Sequence, residues 1–578
     1  MTHEILLQHE RVDDIPLLIG LMQQQHLPEL LERHLGSHHL HEGLSNGWLA
    51  TTWMAYILSQ ANHCKVSVRD WARSLQHTLQ SLCGQSLRDV EFSDDRLSII
   101  LRRLAEADWA ALEKDLWQAT CEVYEITPTC IRLDATTSYG YHTVTEDGLM
   151  QHGHSKDHRP DLPQLKLMAA AAQPSGQLIA CDLHPGNAAD DPLYVPLIQR
   201  VRAQLGRSGL LYAGDCKMAS LGTRAAVAAH QDYYLTPLPL TGETATDFAD
   251  WIAAVVEKRQ AVVEWRRLTE DDNIEVFAAG YELERDLATT VDGANVSWTE
   301  RVQVIQSRAL AAKQGKALEE RLQKAKADIA ALTPAAGRGQ KQQREEAPLC
   351  AAIAVIMKKY QVSGLLCVQW EREEQAETRY QGRGRGGANR IKQVLVHVRY
   401  QITSVERVEA EIELAKARLG WRVQVTNLPR QEYSVLQCVL TYNEGWSLER
   451  DFHLFKDVPL GIRPLYVTTE DQIIGLTRLL TIALRLLTLF ELRVRAGLAA
   501  AGEELTGLYE GQPNRKTARP TGTRILKAIA RMKITIACLN AGEDRSWHLT
   551  KLPPLLLRLL ELLNLSPNIY TSLIGNSG

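Results

Sequence analysis

Two aspartates follow apolar runs in positions where a carboxylate can serve metal-dependent chemistry. Asp134 closes the run CIRLD and is followed by Thr136, Thr137 and Ser138, so the strand predicted there delivers a carboxylate at its edge or end. Asp215 follows LLYAG in the same way and precedes a predicted helix. Carboxylates on neighbouring strands supply the oxygen ligands that hard cations take. For either aspartate alone, helix capping or turn formation is the alternative.

A third acidic residue lies in the segment YNEGWSLERDFHLFK, which the pattern predicts to be one helix. The seven-residue spacing of Tyr442, Glu449 and Lys456 sets them on one face, beside an apolar face that contains Leu448 and Phe452. A helix buried by that apolar face holds Glu449 at the edge of the core, within reach of carboxylates from a sheet. A solvated Glu–Lys face is the alternative, although seven residues is too long for the usual i,i+4 pair.

The elements that must position these residues change in kind near residue 125. Residues 1–125 have apolar residues at helical spacing, which predicts an all-helical domain. After it, short apolar runs bounded by turn residues predict three strands, a helix, a strand, a helix and a strand, as in a mixed sheet flanked by helices. The residue pattern of 241–430 predicts a long insert that contains both helices and strands. Ser434 and Gln437 then have the spacing of a capping box, which predicts a helical region through Lys456.

Length and charge exclude some classes of protein. A chain of 578 residues, 45% hydrophobic and 23% charged, predicts about three or four globular domains and excludes a mainly disordered protein. The net charge of −4 argues against a uniformly basic DNA-coating protein. Counted by region, the charge balance is −8 for residues 1–125 and +5 for residues 457–578. The small net charge therefore combines an acidic N-terminal region with a basic C-terminal region, residues 457–578, which we call the basic tail.

Cysteine usage and hydropathy predict a cytoplasmic protein with no membrane partner. The ten cysteines are scattered singly with no CxxC, as is typical of a reducing compartment, and no signal peptide is recognisable. The most apolar stretch, residues 473–492, carries Arg478, Arg485 and Glu491, and such charges are costly at the centre of a bilayer. We interpret this stretch as a buried or interface helix.

Together, IRLDATTSYG, YAGDCKMAS and YNEGWSLERDFHLFK resemble the DDE motif of bacterial insertion-sequence transposases, specifically the IS-four superfamily with its Tyr-Arg-Glu-Lys signature. The gap from Asp215 to Glu449 is much longer than the gap from Asp134 to Asp215, and it holds the insert that this superfamily carries there. The similarity covers residues 131–489 and includes GHSKDHRPDLPQLKL, HPGNAADD and GIRPLYVTTEDQIIGL. Gly445 departs from the signature, which has an arginine there that the family associates with DNA contacts. The departure puts that contact in doubt without removing a metal ligand.

The resemblance implies a multi-domain α+β protein with an RNase H-like mixed α/β catalytic core. The implied core comprises residues 126–240 and 431–495, and a mixed α/β insertion domain occupies residues 241–430. Residues 1–125 are the all-helical N-terminal domain, which the family associates with binding of DNA ends. Residues 496–578 form a helical, basic C-terminal region.

The resemblance also implies two-metal-ion chemistry. Asp134, Asp215 and Glu449 are the implied catalytic residues, and they hold two Mg²⁺ ions, with Mn²⁺ as a substitute. The expected enzyme is a DNA transposase that binds the inverted-repeat ends of its element, cleaves phosphodiester bonds and joins the 3′-hydroxyl ends to target DNA. It is expected to work as a homodimer on DNA in the bacterial cytoplasm, at the nucleoid. The alternatives are an RNase H-like nuclease without strand transfer and a domesticated DNA-binding protein.

The candidate DNA contacts are basic or aromatic side chains. They are Tyr442, Lys456, Lys156, Arg159, Arg383, Arg385, Arg515, Lys516 and Arg519. The first two are interpreted as donors to phosphate oxygens, and the next two lie in the polar turn that follows the first aspartate. The arginine pair of QGRGRGG suits a minor groove, and the last three belong to the basic tail. A plain surface turn or solvated charge is the alternative for each.

Overall fold

The computed structural model describes residues 6–38, 42–268, 273–335, 342–380, 392–541 and 544–575. Arg383 and Arg385, predicted to contact DNA, lie outside the described residues. The chain divides into two compact units. The first comprises Met1–Thr236, Leu287–Trp298 and Asn427–Gly578, and the second comprises Pro237–Asp286 and Thr299–Thr426. The five-part division predicted from the sequence stays a prediction.

A run of helices fills the N-terminal part of the first unit, after strand β1 (Leu6–Arg11). The helices are α1 (Ile15–Gln24), α2 (Leu27–Leu35), α3 (Asn46–Gln60), α4 (Lys65–Ser74), α5 (Gln76–Cys83), α6 (Asp94–Glu106) and α7 (Trp109–Tyr124). The side chains of Ser45 and Asp108 cap α3 and α7 by accepting hydrogen bonds from backbone N–H groups in the first turn. Apolar residues such as Trp53 and Leu101 are fully buried between these helices.

Strands and helices of the predicted order follow. They are β2 (Cys130–Tyr139), β3 (Gln164–Gln173), β4 (Gln177–Pro185), α8 (Tyr194–Leu205), β5 (Leu211–Ala213), α9 (Leu221–Ala229) and β6 (Tyr233–Pro237). The strands lie in the order β4-β3-β2-β5-β6. β3 runs antiparallel to both neighbours, whereas β5 is parallel to β2 and to β6. Every residue of β3 is buried: its central run LMAAAA is apolar on both faces, and the buried polar residues Gln164, Lys166 and Gln173 lie towards its ends. The sequence of elements predicted from the apolar runs is confirmed.

The elements between residues 242 and 426 mix helices with long strands. They are α10 (Gly242–Val256), β7 (Val263–Leu268), β8 (Ile274–Val291), β9 (Ala294–Ser307), α11 (Arg308–Ala330), α12 (Glu346–Lys359), β10 (Leu366–Tyr380), β11 (Lys392–Arg407), α13 (Glu409–Ala417) and β12 (Trp421–Thr426). β12, β9, β8 and β7 are neighbours in that order, and β10 and β11 form a separate antiparallel pair. A small core containing Leu322, Ile353 and Ile412 lies beneath this pair.

The C-terminal part returns to helices but contains two strands. Its elements are α14 (Val435–Asn443), α15 (Trp446–Lys456), α16 (Glu470–Ala501), α17 (Gly522–Met532), β13 (Thr535–Ala541), β14 (Asp544–Leu549), α18 (Pro554–Leu562) and α19 (Asn568–Thr571). β13 pairs with both β1 and β14. The expectation of an all-helical N-terminal domain is therefore wrong, because β1 is a strand, and the helical C-terminal region contains two strands that the sequence did not predict. Arg11 pairs with Thr535, and a strand partner so far along the chain leaves no local signal beyond short alternation.

The segment predicted as one helix through Lys456 is two helices. The capping box of Ser434 and Gln437 is confirmed at the start of α14, but α14 ends at Asn443 and α15 begins at Trp446. Tyr442 therefore lies on a different helix from Glu449. The apolar face of α15 is buried as predicted, through Leu448, Phe452 and Phe455.

Helix α16 is long and apolar enough to cross a membrane, yet 89% of its apolar window is buried inside the protein. Its charged residues have partners there: Arg485 pairs with Glu113, and Glu491 pairs with Arg450 and Arg495. Buried charges with such partners are typical of a core helix. This stretch was interpreted as either a buried or an interface helix, and in the structure it is a buried helix.

Candidate active site

The sheet brings Asp134 and Asp215 together. Asp134 lies within β2, and Asp215 comes two residues after the end of β5. The parallel register of these strands sets Arg132 beside Ala213. The pairing ends there, and each aspartate lies two residues further on, Asp134 within β2 and Asp215 beyond the end of β5. The two carboxylates lie close enough for the charge of Asp215 to raise the pKa of Asp134. That they share one metal site stays a prediction.

The environment of Asp134 disfavours its charge. Burial raises the pKa of the Asp134 carboxyl above its usual value, and the neighbouring Asp215 charge raises it further. The ammonium of Lys156, 3.5 Å from Asp134 Oδ1, and the backbone N–H of Ala135, which donates to Oδ1 at 2.7 Å, act in the opposite direction. A divalent cation stabilises two carboxylates in such a setting, because it neutralises both charges and supplies a common partner.

Three donors hold Asp215 in place. The hydroxyl of Tyr194 donates to Asp215 Oδ1 at 2.7 Å, and the backbone N–H of Lys217 donates to the same oxygen at 2.9 Å. Thr236 Oγ1 donates to the main-chain carbonyl of Asp215 at 2.7 Å. Burial and the charges of Asp215 and Asp134 raise the pKa of Tyr194, so its hydroxyl remains a donor at neutral pH. Tyr194 was not among the predicted site residues, since nothing local marks the first residue of α8 as a partner of Asp215.

The third predicted ligand has a different setting. Glu449 lies in the first turn of α15, a helix that packs against β2, and its side chain is exposed. Across the described part of the chain, no group of three or more His, Cys, Asp and Glu residues is placed to hold a metal ion. The donor set of Asp134 and Asp215 fits a hard cation, whereas the participation of Glu449 in the same site stays a prediction.

The far end of α15 is tied to the polar turn that follows β2. Lys456 Nζ lies 2.7 Å from Asp157 Oδ1, and Arg463 Nη1 lies 2.6 Å from the same oxygen. The Asp157 side chain is 1% exposed and that of Lys456 is 10% exposed. Burial lowers the pKa of Lys456, and Asp157 partly restores it. Lys456 thus lies in a buried ion pair, and its predicted contact with DNA requires that pair to open.

The other predicted DNA contacts near the aspartates have partners within the protein. Arg159 makes two hydrogen bonds to the Asp161 carboxylate, at 2.7 and 2.8 Å, and lies over the ring of Tyr139. Lys156 contacts Asp134 as described above and also donates to the carbonyl of Ala135. These side chains are about one-third exposed, so solvent or a ligand reaches them.

The predicted basic tail is a surface feature. Arg515, Lys516 and Arg519 are exposed in the segment between α16 and α17. The guanidinium of Arg515 lies 4.1 Å from the centre of the Tyr509 ring, and that of Arg524 lies 4.2 Å from the same ring. Stacked cations of this kind remain available to anions, because the ring occupies only one face of each guanidinium.

Comparison with known proteins places this arrangement in a family. The family described as "Transposase DDE domain" matches residues 126–486, a span that contains Asp134, Asp215 and Glu449. The chain belongs to the transposases with a DDE domain, which confirms the sequence prediction at that level. No curated protein matches the chain. Among solved structures, the chain is similar to the piggyBac transposase in a synaptic complex with hairpin DNA, at 8% identity. That similarity covers 90% of this chain and 80% of the other, with a TM-score of 0.35.

Proposed function

We propose that this protein is a DNA transposase of the bacterial IS-four superfamily that cleaves the ends of its element and joins them to target DNA. The observation that carries the proposal is that the parallel neighbours β2 and β5 deliver Asp134 and Asp215 close to each other inside the matched DDE domain. The strand order β4-β3-β2-β5-β6, antiparallel and then parallel, supports an RNase H-like core. The Tyr-Arg-Glu-Lys spacing supports the superfamily, with Gly445 as the departure.

In the proposed reaction, Asp134 and Asp215 hold divalent metal, Mg²⁺ or Mn²⁺, and Glu449 completes the site. When bound, the metal activates the attacking oxygen and stabilises the leaving oxygen of an in-line displacement at phosphorus. Asp215 is oriented for this role by the hydroxyl of Tyr194. Lys156, which contacts Asp134 in this structure, supplies a cation beside the site that can turn to a DNA phosphate.

For DNA binding, we propose that Lys156 and Arg159 contact the element end near the catalytic site and that the exposed tail residues bind phosphates further away. Tyr442 and Lys456 remain candidates at the catalytic helix. The reaction requires two ends to be brought together, so we propose a homodimer on DNA, acting at the nucleoid in the bacterial cytoplasm.

A strand-transfer assay tests the proposed function. Purified protein is incubated with Mg²⁺, a target plasmid and pre-cut DNA ends taken from the inverted repeats that flank the gene. A transposase yields target plasmid with covalently joined ends. A nuclease without strand transfer nicks DNA but gives no joined product, and a domesticated binding protein shifts the ends without cutting them. Either of these last two results overturns the proposal.

The salt dependence of end binding tests the role of the tail. Four exposed basic residues are changed together to Gln: Arg515, Lys516, Arg519 and Lys527. Each lost phosphate contact makes the slope of log K against log salt shallower by about 0.9. The matched control changes four exposed lysines of α11 to Gln: Lys313, Lys316, Lys324 and Lys326. We expect a shallower slope for the tail variant only, and an unchanged slope there places the DNA contact elsewhere.

A further inference from the structure

Gly445, the residue before α15, leaves room for the guanidinium of Arg132, and its backbone conformation does not itself call for glycine. Its φ of −62° and ψ of −6° are accessible to any residue. A Cβ atom built there would lie 2.8 Å from Cζ, 3.0 Å from Nη2 and 3.1 Å from Nε of Arg132. The volume in which residue 445 would carry a side chain is therefore filled by the guanidinium of Arg132.

Arg132 holds the end of α14 from the strand that carries Asp134. Its Nη2 donates to the carbonyls of Thr441 at 2.8 Å and Tyr442 at 3.0 Å. These carbonyls belong to the last turn of α14, where a cation is favoured by the helix dipole, and the Tyr442 carbonyl also accepts from the Gly445 backbone N–H at 3.3 Å. Arg132 is only 6% exposed, so solvent does not replace these carbonyls as partners of its guanidinium. Losing them would leave a buried charge without its hydrogen bonds, which is costly.

A second strand supports the same junction. Gln173, the last residue of β3, donates from Nε2 to the carbonyl of Glu444 at 3.0 Å. Together, Arg132 and Gln173 bind three carbonyls in the four residues that precede Gly445. The start of α15 is thereby fixed to the sheet on which Asp134 lies, and Glu449 is one helical turn further along.

We propose that Arg132 is a positioning residue for the catalytic helix and that Gly445 exists to admit its guanidinium. In this chain, the guanidinium at the junction belongs to Arg132 of β2. The positioning role of Arg132 rests on the proposed transposase activity, because it requires Glu449 to act with Asp134. The packing of Arg132 against Gly445 does not depend on that activity.

A double-mutant cycle in thermal stability tests the packing, with no DNA or metal present. We expect Gly445→Ala to lower the Tm by several degrees in the wild-type background and to change it little in the Arg132→Ala background. The control is Gly222→Ala in α9, where nothing lies within 4 Å of a new Cβ and where alanine favours the helix. Additive effects of Arg132→Ala and Gly445→Ala overturn the inference. If Arg132→Ala does not fold, Arg132→Gln, which keeps a donor but shortens the side chain, takes its place in the cycle.

End cleavage and end binding, measured separately, test the positioning role. Arg132→Ala is expected to slow cleavage of bound ends by about ten-fold to 100-fold, while metal-free end binding stays within about two-fold of wild type. The exchange Arg132→Ala/Gly445→Arg should recover part of both cleavage and Tm, because it returns a guanidinium to the junction. A matched loss of binding and cleavage, or unchanged cleavage, overturns the positioning role. A wild-type protein that cleaves no DNA overturns the proposed function instead, and the thermal cycle still decides the packing.

Discussion

The two strand-borne carboxylates and the helix-borne carboxylate of the proposed site are held in different ways. Asp134 lies within β2 and Asp215 just after β5, its parallel neighbour, and hydrogen bonds from the Ala135 backbone, the Tyr194 hydroxyl and the Lys217 backbone fix their oxygens. Glu449 is exposed on α15, and its position depends on how the ends of that helix are anchored. The sheet therefore preassembles one half of the site, whereas helix anchoring decides the other half.

The largest effect is expected from substituting the proposed metal ligands themselves. Asp134→Asn and Glu449→Gln should each reduce end cleavage by about 10³-fold or more, because loss of a residue that acts in a catalytic unit disables the unit. End binding in the absence of metal should be retained by both variants. Cleavage gels and gel shifts measure the two properties. If Glu449→Gln keeps wild-type cleavage, the helix does not contribute to the site and the comparison fails.

The second prediction concerns the C-terminal anchor of α15. Lys456→Met leaves the buried Asp157 carboxylate with Arg463 as its remaining close cation, which is expected to cost about 3 kcal/mol. The Tm should fall by several degrees, and end cleavage should fall with it, since the helix end and the turn carrying Lys156 are released together. Thermal unfolding measures the first effect.

The matched control for the anchor is an exposed ion pair. Lys359 and Asp328 lie 3.3 Å apart with side chains 61% and 43% exposed, so Lys359→Met should leave the Tm unchanged. If Lys456→Met changes the Tm no more than this control, Lys456 is not an anchor. Its predicted contact with DNA then becomes the better account of its role.

The sequence predicted the strand-borne half of the site more fully than the helix-borne half. Apolar runs that end in Asp134 and Asp215 indicate buried strands locally, and parallel pairing of those strands then brings the aspartates near each other. The pattern around Glu449 predicted a helix and its buried face correctly, but it wrongly placed Tyr442 on the same helix. The packing of Arg132 against Gly445 joins residues far apart in the chain, so no local pattern contains it.

The same limit explains the errors in the terminal regions. β1 and β13 pair across most of the length of the chain, and neither has enough alternating residues to be recognised alone. The buried contact of Lys456 with Asp157 likewise joins distant parts of the chain, so the sequence does not show it. Local periodicity predicts elements, whereas ion pairs between distant elements depend on the tertiary fold.

The third prediction uses pH to separate the two halves of the site. Because burial and Asp215 raise the pKa of Asp134, the ionised carboxylate costs stability in the folded, metal-free protein. Asp134→Asn should therefore raise the Tm at pH 8. This gain should shrink as the pH falls through the raised pKa of Asp134, and it should vanish below the ordinary value of 3.8, where wild type is protonated in both states.

Two comparisons sharpen the pH experiment. Glu449→Gln should leave the metal-free Tm unchanged at pH 8, since the side chain is exposed. Adding Mg²⁺ should raise the Tm of wild type but not that of Asp134→Asn, because only a folded site with both aspartates binds the ion. A Tm gain for Glu449→Gln as large as that for Asp134→Asn would show that the ionised Glu449 carboxylate also costs stability in the folded protein, as that of Asp134 does.

The smallest expected effect concerns the hydroxyl that orients Asp215. Tyr194→Phe removes a hydrogen bond of 2.7 Å but keeps the buried ring, so it should cost about 1 kcal/mol and slow cleavage by no more than about ten-fold. Lys217 still donates its backbone N–H to Asp215 Oδ1, and Thr236 still binds the Asp215 carbonyl. The matched control is Tyr212→Phe, whose buried hydroxyl has no hydrogen-bond partner among the described residues and whose removal should not slow cleavage. A loss for Tyr194→Phe as large as that for Asp134→Asn would mean that the sheet alone does not hold the strand-borne half in place and that Tyr194 is as necessary as the ligands.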